Sequence, residues 1–174
     1  KYPSGGGDIL MGSITTNQKD SHIKMLRMHA LQGIAISGDD AAQISRSLPH
    51  MALRYQQHQK NTLAILNWLK ECPKFSQILH PSLSTHAGHE HWLNICQDQQ
   101  GAGIISVIFD PKYGIDSIKN FCNSLQLFRL GFSWGGPTSL VMFYNLQDMR
   151  KLPTPHLKEG WLVRFCIGLE DSQD

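Results

Sequence analysis

Three short stretches of this 174-residue chain carry side chains that could do chemistry, and they lie far apart in the sequence. The first begins with Lys1, which is followed by Pro3 and by three consecutive glycines at positions 5–7. Proline fixes φ, and glycines allow close backbone approaches that a Cβ would prevent. This loop therefore predicts that something passes close to its backbone. Since most lysines are solvated surface charges, two interpretations of Lys1 stay open: an ordinary loop residue, or an amine presented to a cofactor.

The second stretch, residues 132–136, contains Ser133 and Trp134 followed by two glycines at the end of a predicted strand. A hydroxyl, an indole and two glycines at such a place can form the wall of a pocket, where a ligand approaches the backbone. A structural turn with a core tryptophan is the alternative.

The third stretch places Arg164 inside an apolar segment, residues 161–169. Burying a guanidinium without a partner is costly. Arg164 therefore either pairs with a carboxylate of the protein or binds a carboxylate on a ligand, for which its planar fork is suited. The residues alone leave both interpretations open.

Two other kinds of chemistry find little support. The spacing of His86, His89 and His91 fits no standard zinc site, and no cysteine lies close by, so we expect no metal site there. The chain has no Gly-x-Ser-x-Gly motif, and Ser133 has no assignable histidine partner, so no nucleophilic triad is predicted.

The composition limits the classes of partner. A formal net charge of +2 gives no argument for binding nucleic acid or an anionic membrane. The charged fraction of 17% is below the usual value of about 25%, which suggests that a partner, another subunit or further chain covers part of the surface. The four cysteines form no Cys-x-x-Cys pair, and we interpret them as free, mostly buried thiols in a reducing cytoplasm. No apolar run approaches the ~20 residues that cross a bilayer, and no targeting segment is recognised.

The elements that must position these residues alternate between helices and strands. An apolar run at residues 9–14 predicts a buried strand. Helices are predicted at about 22–31, from residue 38, and from Pro49, in the first turn of a long helix, to about residue 71. Further strands are predicted at residues 76–80, 103–109, 127–132, 139–144 and 161–167, with a short helical segment at 91–96 and a helix at 115–125. This order predicts an α/β fold, a sheet with helices on one face.

The three stretches occur in a fixed order, with Lys1-Tyr2 near Gly5 and Asp8, the 133–136 motif, and Arg164 before the Ile-Gly-Leu-Glu-Asp segment at 167–171. Together they resemble the pyridoxal phosphate (PLP) enzymes of Cys/Met transsulfuration, which include cystathionine lyases, cystathionine γ-synthase and methionine γ-lyase. The resemblance covers nearly the whole chain, including residues 80–81, 88–90 and 101–109.

The resemblance implies a fold type I PLP-dependent transferase. Residues 1–48 are expected to be the C-terminal end of the PLP-binding large domain, residues 49–71 a long linking helix, and residues 62–174 the C-terminal small α/β domain without its terminal helix. The chain is thus expected to be one piece of a longer protein, inactive by itself because most cofactor contacts lie upstream. The family also implies a cytoplasmic homotetramer with active sites shared between subunits.

The resemblance also implies roles. Lys1 binds the cofactor covalently, and Ser133 and Arg164 bind the substrate α-carboxylate. Trp134 stands where bacterial cystathionine β-lyases have tryptophan and the γ-enzymes typically have leucine. The expected reaction is β-elimination of cystathionine to homocysteine, pyruvate and ammonia, in methionine biosynthesis. The alternatives are a γ-lyase or γ-synthase of the same family and, from another class, a non-catalytic interaction module.

Two departures from the family pattern are visible. Residues 5–8 read Gly-Gly-Gly-Asp, where the family commonly has Gly-His-Ser/Thr-Asp, and Pro49 replaces the usual arginine of a Gly-Leu-Arg-Thr stretch. We interpret both positions as structural, so the catalytic assignment is kept.

Overall fold

The computed structural model describes residues 1–149 and 151–172. The last two residues of the predicted small domain therefore lie outside the described residues. None of the helices within the described part of the chain is both long and apolar enough to cross a membrane.

The first part of the chain is helical. Helix α1, Lys19–Gln32, ends at Gly33, as expected of a glycine cap. Helix α2, Gly38–Ser47, begins at Ser37, whose hydroxyl accepts a hydrogen bond from the Asp40 amide at 3.0 Å. A short 3₁₀ turn, Leu48–His50, leads into the long helix α3, Met51–Lys70. The prediction of a long helix beginning near Pro49 is confirmed.

The predicted strand at residues 9–14 is wrong in this structure. The segment forms no strand, and although Ile9 is buried, Leu10 and Ile14 are 85% and 77% exposed. A strand needs a neighbour for its backbone N–H and C=O groups, and among the described residues the sheet pairs only strands that come after residue 74. Helix α1 is similarly uncovered and contains no buried residue.

The second part of the chain builds the sheet. In chain order its elements are β1 (Phe75–Leu79), α4 (His89–Ile95), β2 (Ile104–Phe109), α5 (Ile115–Ser124), β3 (Arg129–Leu130), β4 (Leu140–Asn145), α6 (Leu146–Met149) and β5 (Trp161–Cys166). The five strands lie in the order β1-β2-β5-β4-β3. All neighbours are antiparallel except β3 and β4, which are parallel.

Side-chain alternation gives the two faces of the sheet different roles. Val163 and Phe165 point into the hydrophobic core, which also contains residues of α3 and α5: Leu66, Leu69, Ile118 and Cys122. Arg164 stands between them on β5, paired with Ser106 on one side and Met142 on the other, and so belongs to the opposite face. The predicted α/β fold with helices on one face is confirmed, and the face without helices holds Arg164.

Candidate functional site

The Lys1 amine lies beside the motif at residues 133–136. Its Nζ donates hydrogen bonds to Ser133 Oγ at 2.9 Å and to the Gly7 carbonyl at 3.0 Å. It also lies 5.4 Å from the centre of the Trp134 ring. The structure therefore brings together two of the three stretches identified in the sequence, although 132 positions separate Lys1 from Ser133.

Glycines allow this approach. A Cβ built on Gly136 would lie 2.7 Å from the Gly6 carbonyl oxygen, and one built on Gly135 would lie 3.2 Å from Lys1 Cβ. Real Cβ atoms do not come as close to backbone as the first of these distances, so only glycine fits at Gly136 without a shift. The close backbone approach predicted from the glycine-rich loop is the turn at residues 135–136.

Arg164 reaches the same place from β5. One terminal nitrogen, Nη2, donates to the Phe132 carbonyl at 2.8 Å. The guanidinium carbon lies 6.0 Å from the Trp134 ring centre and 5.7 Å from that of Tyr144. Cations are attracted to the faces of aromatic rings at such distances. Lys1 and Arg164 thus share one indole, and all four residues predicted for the site lie together.

The charges of the site are unbalanced. Within the described residues, no carboxylate forms an ion pair with Lys1 or Arg164. The Nε atom of Arg164 is buried and has no hydrogen-bond partner there. A buried donor without a partner is costly, so the binding of a carboxylate on a ligand stays the prediction for Arg164. A carboxylate matches the donors present.

Two residues of this region were not identified from the sequence. Tyr144 covers one side of the Arg164 guanidinium, but at the end of a strand it carries no signal beyond strand propensity. Arg54 holds the backbone that follows Lys1 through hydrogen bonds to carbonyl groups. Contacts to carbonyl groups leave no pattern in the sequence, because every residue offers one.

The histidines at positions 86 and 89 form hydrogen bonds within their own loop. The Gly88 amide donates to His86 Nδ1 at 3.0 Å, and His89 Nδ1 lies 2.7 Å from the Pro81 carbonyl oxygen. No cluster of three or more histidine, cysteine, aspartate or glutamate side chains in the described part of the chain is arranged to hold a metal ion.

Comparisons with known proteins were made over the whole chain. Residues 1–174 match the model of a family described as Cys/Met metabolism PLP-dependent enzyme. A putative cystathionine beta-lyase from Rhizobium johnstonii is 36% identical over 181 residues, which cover 100% of this chain and 43% of that protein. A cystathionine gamma-lyase from Dictyostelium discoideum is 30% identical over 178 residues, which cover 100% of this chain and 45% of that protein.

Solved structures show the same similarity. The crystal structure of metB from Corynebacterium glutamicum superposes with a TM-score of 0.84 at 32% identity, over 99% of this chain and 44% of that one. The chain therefore spans somewhat less than half the length of the relatives it matches.

Proposed function

Because the chain belongs to the Cys/Met metabolism PLP-dependent enzymes, we propose that it is part of a carbon–sulfur lyase that converts cystathionine to homocysteine, pyruvate and ammonia. PLP is the cofactor of this family. The observation that carries the proposal is the common location of a lysine amine and a guanidinium that has no ion-pair partner among the described residues. Lys1 Nζ and the Arg164 guanidinium lie 5.4 and 6.0 Å from the same Trp134 ring.

The residues present fit an aldehyde cofactor on one side and a carboxylate on the other. Lys1 Nζ contacts a hydroxyl and a carbonyl oxygen, and no described carboxylate competes for it as an ion-pair partner. An amine in such surroundings can attack an aldehyde once it is neutral. Arg164 retains a buried Nε donor without a described partner. An α-amino acid bears the anion that this donor requires.

The tasks can be assigned to single side chains. Lys1 would hold the cofactor covalently, and its amine, when free, would take the Cα proton and pass a proton to the departing sulfur. Ser133 and Arg164 hold the α-carboxylate, which fixes the orientation of the Cα–H bond. Trp134 lines the space for the substrate side chain. PLP, when bound, supplies the electron sink that makes removal of the Cα proton accessible.

The choice between β- and γ-elimination rests on one residue and on the names of the relatives. Trp134 favours the β-lyase, and the Rhizobium relative carries that name. The alternative is a γ-lyase, γ-synthase or methionine γ-lyase, favoured by the similarity to the Dictyostelium gamma-lyase. Product analysis with cystathionine separates them, because β-elimination releases pyruvate and γ-elimination releases 2-oxobutyrate.

We also propose that the active protein contains a further part of the same polypeptide, packed against residues 1–48. A folded 19.6-kDa monomer exposes about 8,600 Å², whereas this chain exposes 11,749 Å². The large side chains that are exposed include Leu10, Ile14, Leu26, Leu31 and Ile34. An exposed apolar surface of this extent marks a place where another part of a protein packs. In this proposal residues 1–48 complete the PLP domain, residues 49–71 link it to the small domain at 62–174, and the protein is a cytoplasmic homotetramer.

The complete protein tests the proposal through Lys1→Ala. We expect this variant to lose both the yellow colour of bound PLP and cystathionine turnover. Lys60, exposed on α3, provides the matched control, and Lys60→Ala should keep both. A Lys1→Ala protein that stayed yellow and kept the full lyase rate would exclude the assignment.

A further inference from the structure

Arg54, on the long helix α3, donates hydrogen bonds to the backbone directly after Lys1. Its Nη2 donates to the carbonyl oxygens of Tyr2 at 3.1 Å and Pro3 at 3.3 Å. Both terminal nitrogens also donate to the Ser47 carbonyl at 3.1 Å. One planar guanidinium therefore connects the start of the chain, the end of α2 and the first turns of α3.

Every carbonyl of residues 1–4 has a donor in this arrangement. The Lys1 carbonyl accepts from Ser4 Oγ at 2.9 Å. The Ser4 carbonyl accepts from Ser47 Oγ at 2.6 Å, and Arg54 serves the two carbonyls between them. Since no carbonyl of the turn is left free, its backbone has little freedom to rotate.

The same guanidinium packs closely against Gly5. It adopts a φ of +79°, and a Cβ built on it would lie 2.7 Å from Arg54 Nε. A glycine at position 5 therefore permits the close approach of Arg54.

The Tyr2 ring gives the turn a second anchor. It packs edge-on against Tyr55 and His58, with ring centres 5.1 and 5.3 Å away. Its hydroxyl oxygen accepts a hydrogen bond from the Gly103 amide at 2.8 Å, next to the start of β2. The turn is thus attached to α3 through its carbonyls and the Tyr2 ring, and to the segment directly before β2 through the Tyr2 hydroxyl.

We propose that Arg54 is a positioning residue for the Lys1 amine, an inference that rests on the proposed function of Lys1. Arg54 touches no reacting group itself. It fixes the backbone from which the lysine side chain extends to Ser133, and it is the side chain that holds two consecutive carbonyls of that turn. A lysine ammonium is a point charge and cannot span these acceptors as the planar fork does.

The first test measures the amine in the cofactor-free complete protein and does not depend on catalysis. Trace acetylation with acetic anhydride, quantified by peptide mass spectrometry, reports the reactivity of each lysine. In Arg54→Leu we expect Lys1 to be acetylated at least threefold faster, because the amine leaves Ser133 and Gly7 for solvent. Lys60, exposed on the same helix, is the reference within each digest and should not change.

A matched variant separates positioning from general loss of stability. Asn61, on the same helix, donates to the carbonyls of Gly168 and Glu170, away from the turn. Asn61→Ala should weaken the fold but leave the reactivity of Lys1 within twofold of wild type. If Arg54→Leu does not fold, Arg54→Lys and Ser47→Ala, which each remove part of the network, decide the question by the same measurement.

The second test is kinetic. Misplacement of a reacting group by about 1 Å can cost 100-fold in rate, so we expect kcat of Arg54→Leu to fall by about 10- to 100-fold while KM changes less than threefold. Arg54→Lys should recover part of the loss. Unchanged acetylation of Lys1 in Arg54→Leu overturns the inference whether or not the wild type is a lyase. A wild type without lyase activity overturns the proposed function alone.

Discussion

Replacing Arg164 by leucine removes the cation that we propose binds the substrate α-carboxylate. Leucine keeps apolar volume on β5, and Met142 and Ser106 remain as its cross-strand partners. The substitution also leaves the core face of the strand untouched, because Val163 and Phe165 lie on the other side. The main change is therefore in the site.

The size of the effect follows from the hydrogen bonds of the guanidinium. Nη2 already donates to the Phe132 carbonyl at 2.8 Å, and Nε is a buried donor that has no partner among the described residues. A hydrogen bond to a charged group contributes about 1.5–3 kcal/mol, and truncating one member of a desolvated charge pair costs about 2–5 kcal/mol. A loss of about 3 kcal/mol corresponds to roughly a 100-fold fall in kcat/KM.

Steady-state kinetics of the complete protein with cystathionine provide the assay. Because carboxylate binding contributes to both the ground state and the transition state, most of the loss should appear as a higher KM. Arg129, exposed on β3, gives the matched control, and Arg129→Leu should change KM less than twofold. A second comparison uses cystathionine in which the α-carboxylate of the cysteine half, the half that undergoes β-elimination, is converted to an amide. Wild type should discriminate strongly between acid and amide, and Arg164→Leu should not.

The reasoning is refuted by a folded Arg164→Leu protein whose KM for cystathionine stays within twofold of wild type. Arg164 would then be structural, held by Phe132 and by the rings of Trp134 and Tyr144. Retained discrimination between acid and amide would place the carboxylate site elsewhere.

Three further predictions concern other parts of the molecule. Trp134→Leu should raise the share of 2-oxobutyrate over pyruvate, because a smaller side chain opens the space beside Lys1; an unchanged product ratio would remove Trp134 as a determinant. Gly136→Ala should lower the free energy of unfolding by about 1–3 kcal/mol, because the new Cβ would lie 2.7 Å from the Gly6 carbonyl oxygen. Gly12→Ala is the control, since a Cβ there has no atom within 4 Å. Equal melting temperatures for the two variants would contradict the close approach. Burial lowers the pKa of His58 and His80 below the usual imidazole range, so the unfolded chain takes up protons first. Stability should be full above pH 6.5 and fall below it, by at most about 1.4 kcal/mol per pH unit for each histidine; urea midpoints between pH 7.5 and 5.5 that stay level would refute this.

The sheet could be predicted from the sequence because apolar alternation and turn residues mark its strands. Each of the five predicted strands of the second part of the chain begins within two residues of the observed one. The same signal failed at residues 9–14, because an apolar run shows that a segment needs burial and does not show that a neighbouring strand is present. Leu10 and Ile14 are apolar and exposed for that reason.

The residues of the candidate site could be selected from the sequence, but the contacts between them could be predicted only in part. Lys1, Ser133, Trp134 and Arg164 could be identified through the order of their motifs, and a guanidinium in an apolar strand indicates a special partner. The contact between Lys1 and Ser133 depends on the packing of two glycine-containing turns, which spacing along the chain does not give. The hydrogen bonds from Arg54 to backbone carbonyls could not be predicted either, because they also depend on tertiary packing.

The two departures from the family pattern lie at positions with different surroundings. The three atoms nearest a Cβ on Gly6, where the family commonly has histidine, all belong to the carboxylate of Asp8, a side chain that can turn away. Pro49 lies in the short turn before α3, at a position where a missing N–H breaks no bond of the long helix. Of the departing positions, Gly7 contacts the Lys1 amine, and it does so through its backbone carbonyl, which any residue would offer. The other partner of the amine, Ser133, matches the family pattern, so the departures leave the groups that we propose for cofactor and carboxylate binding in place.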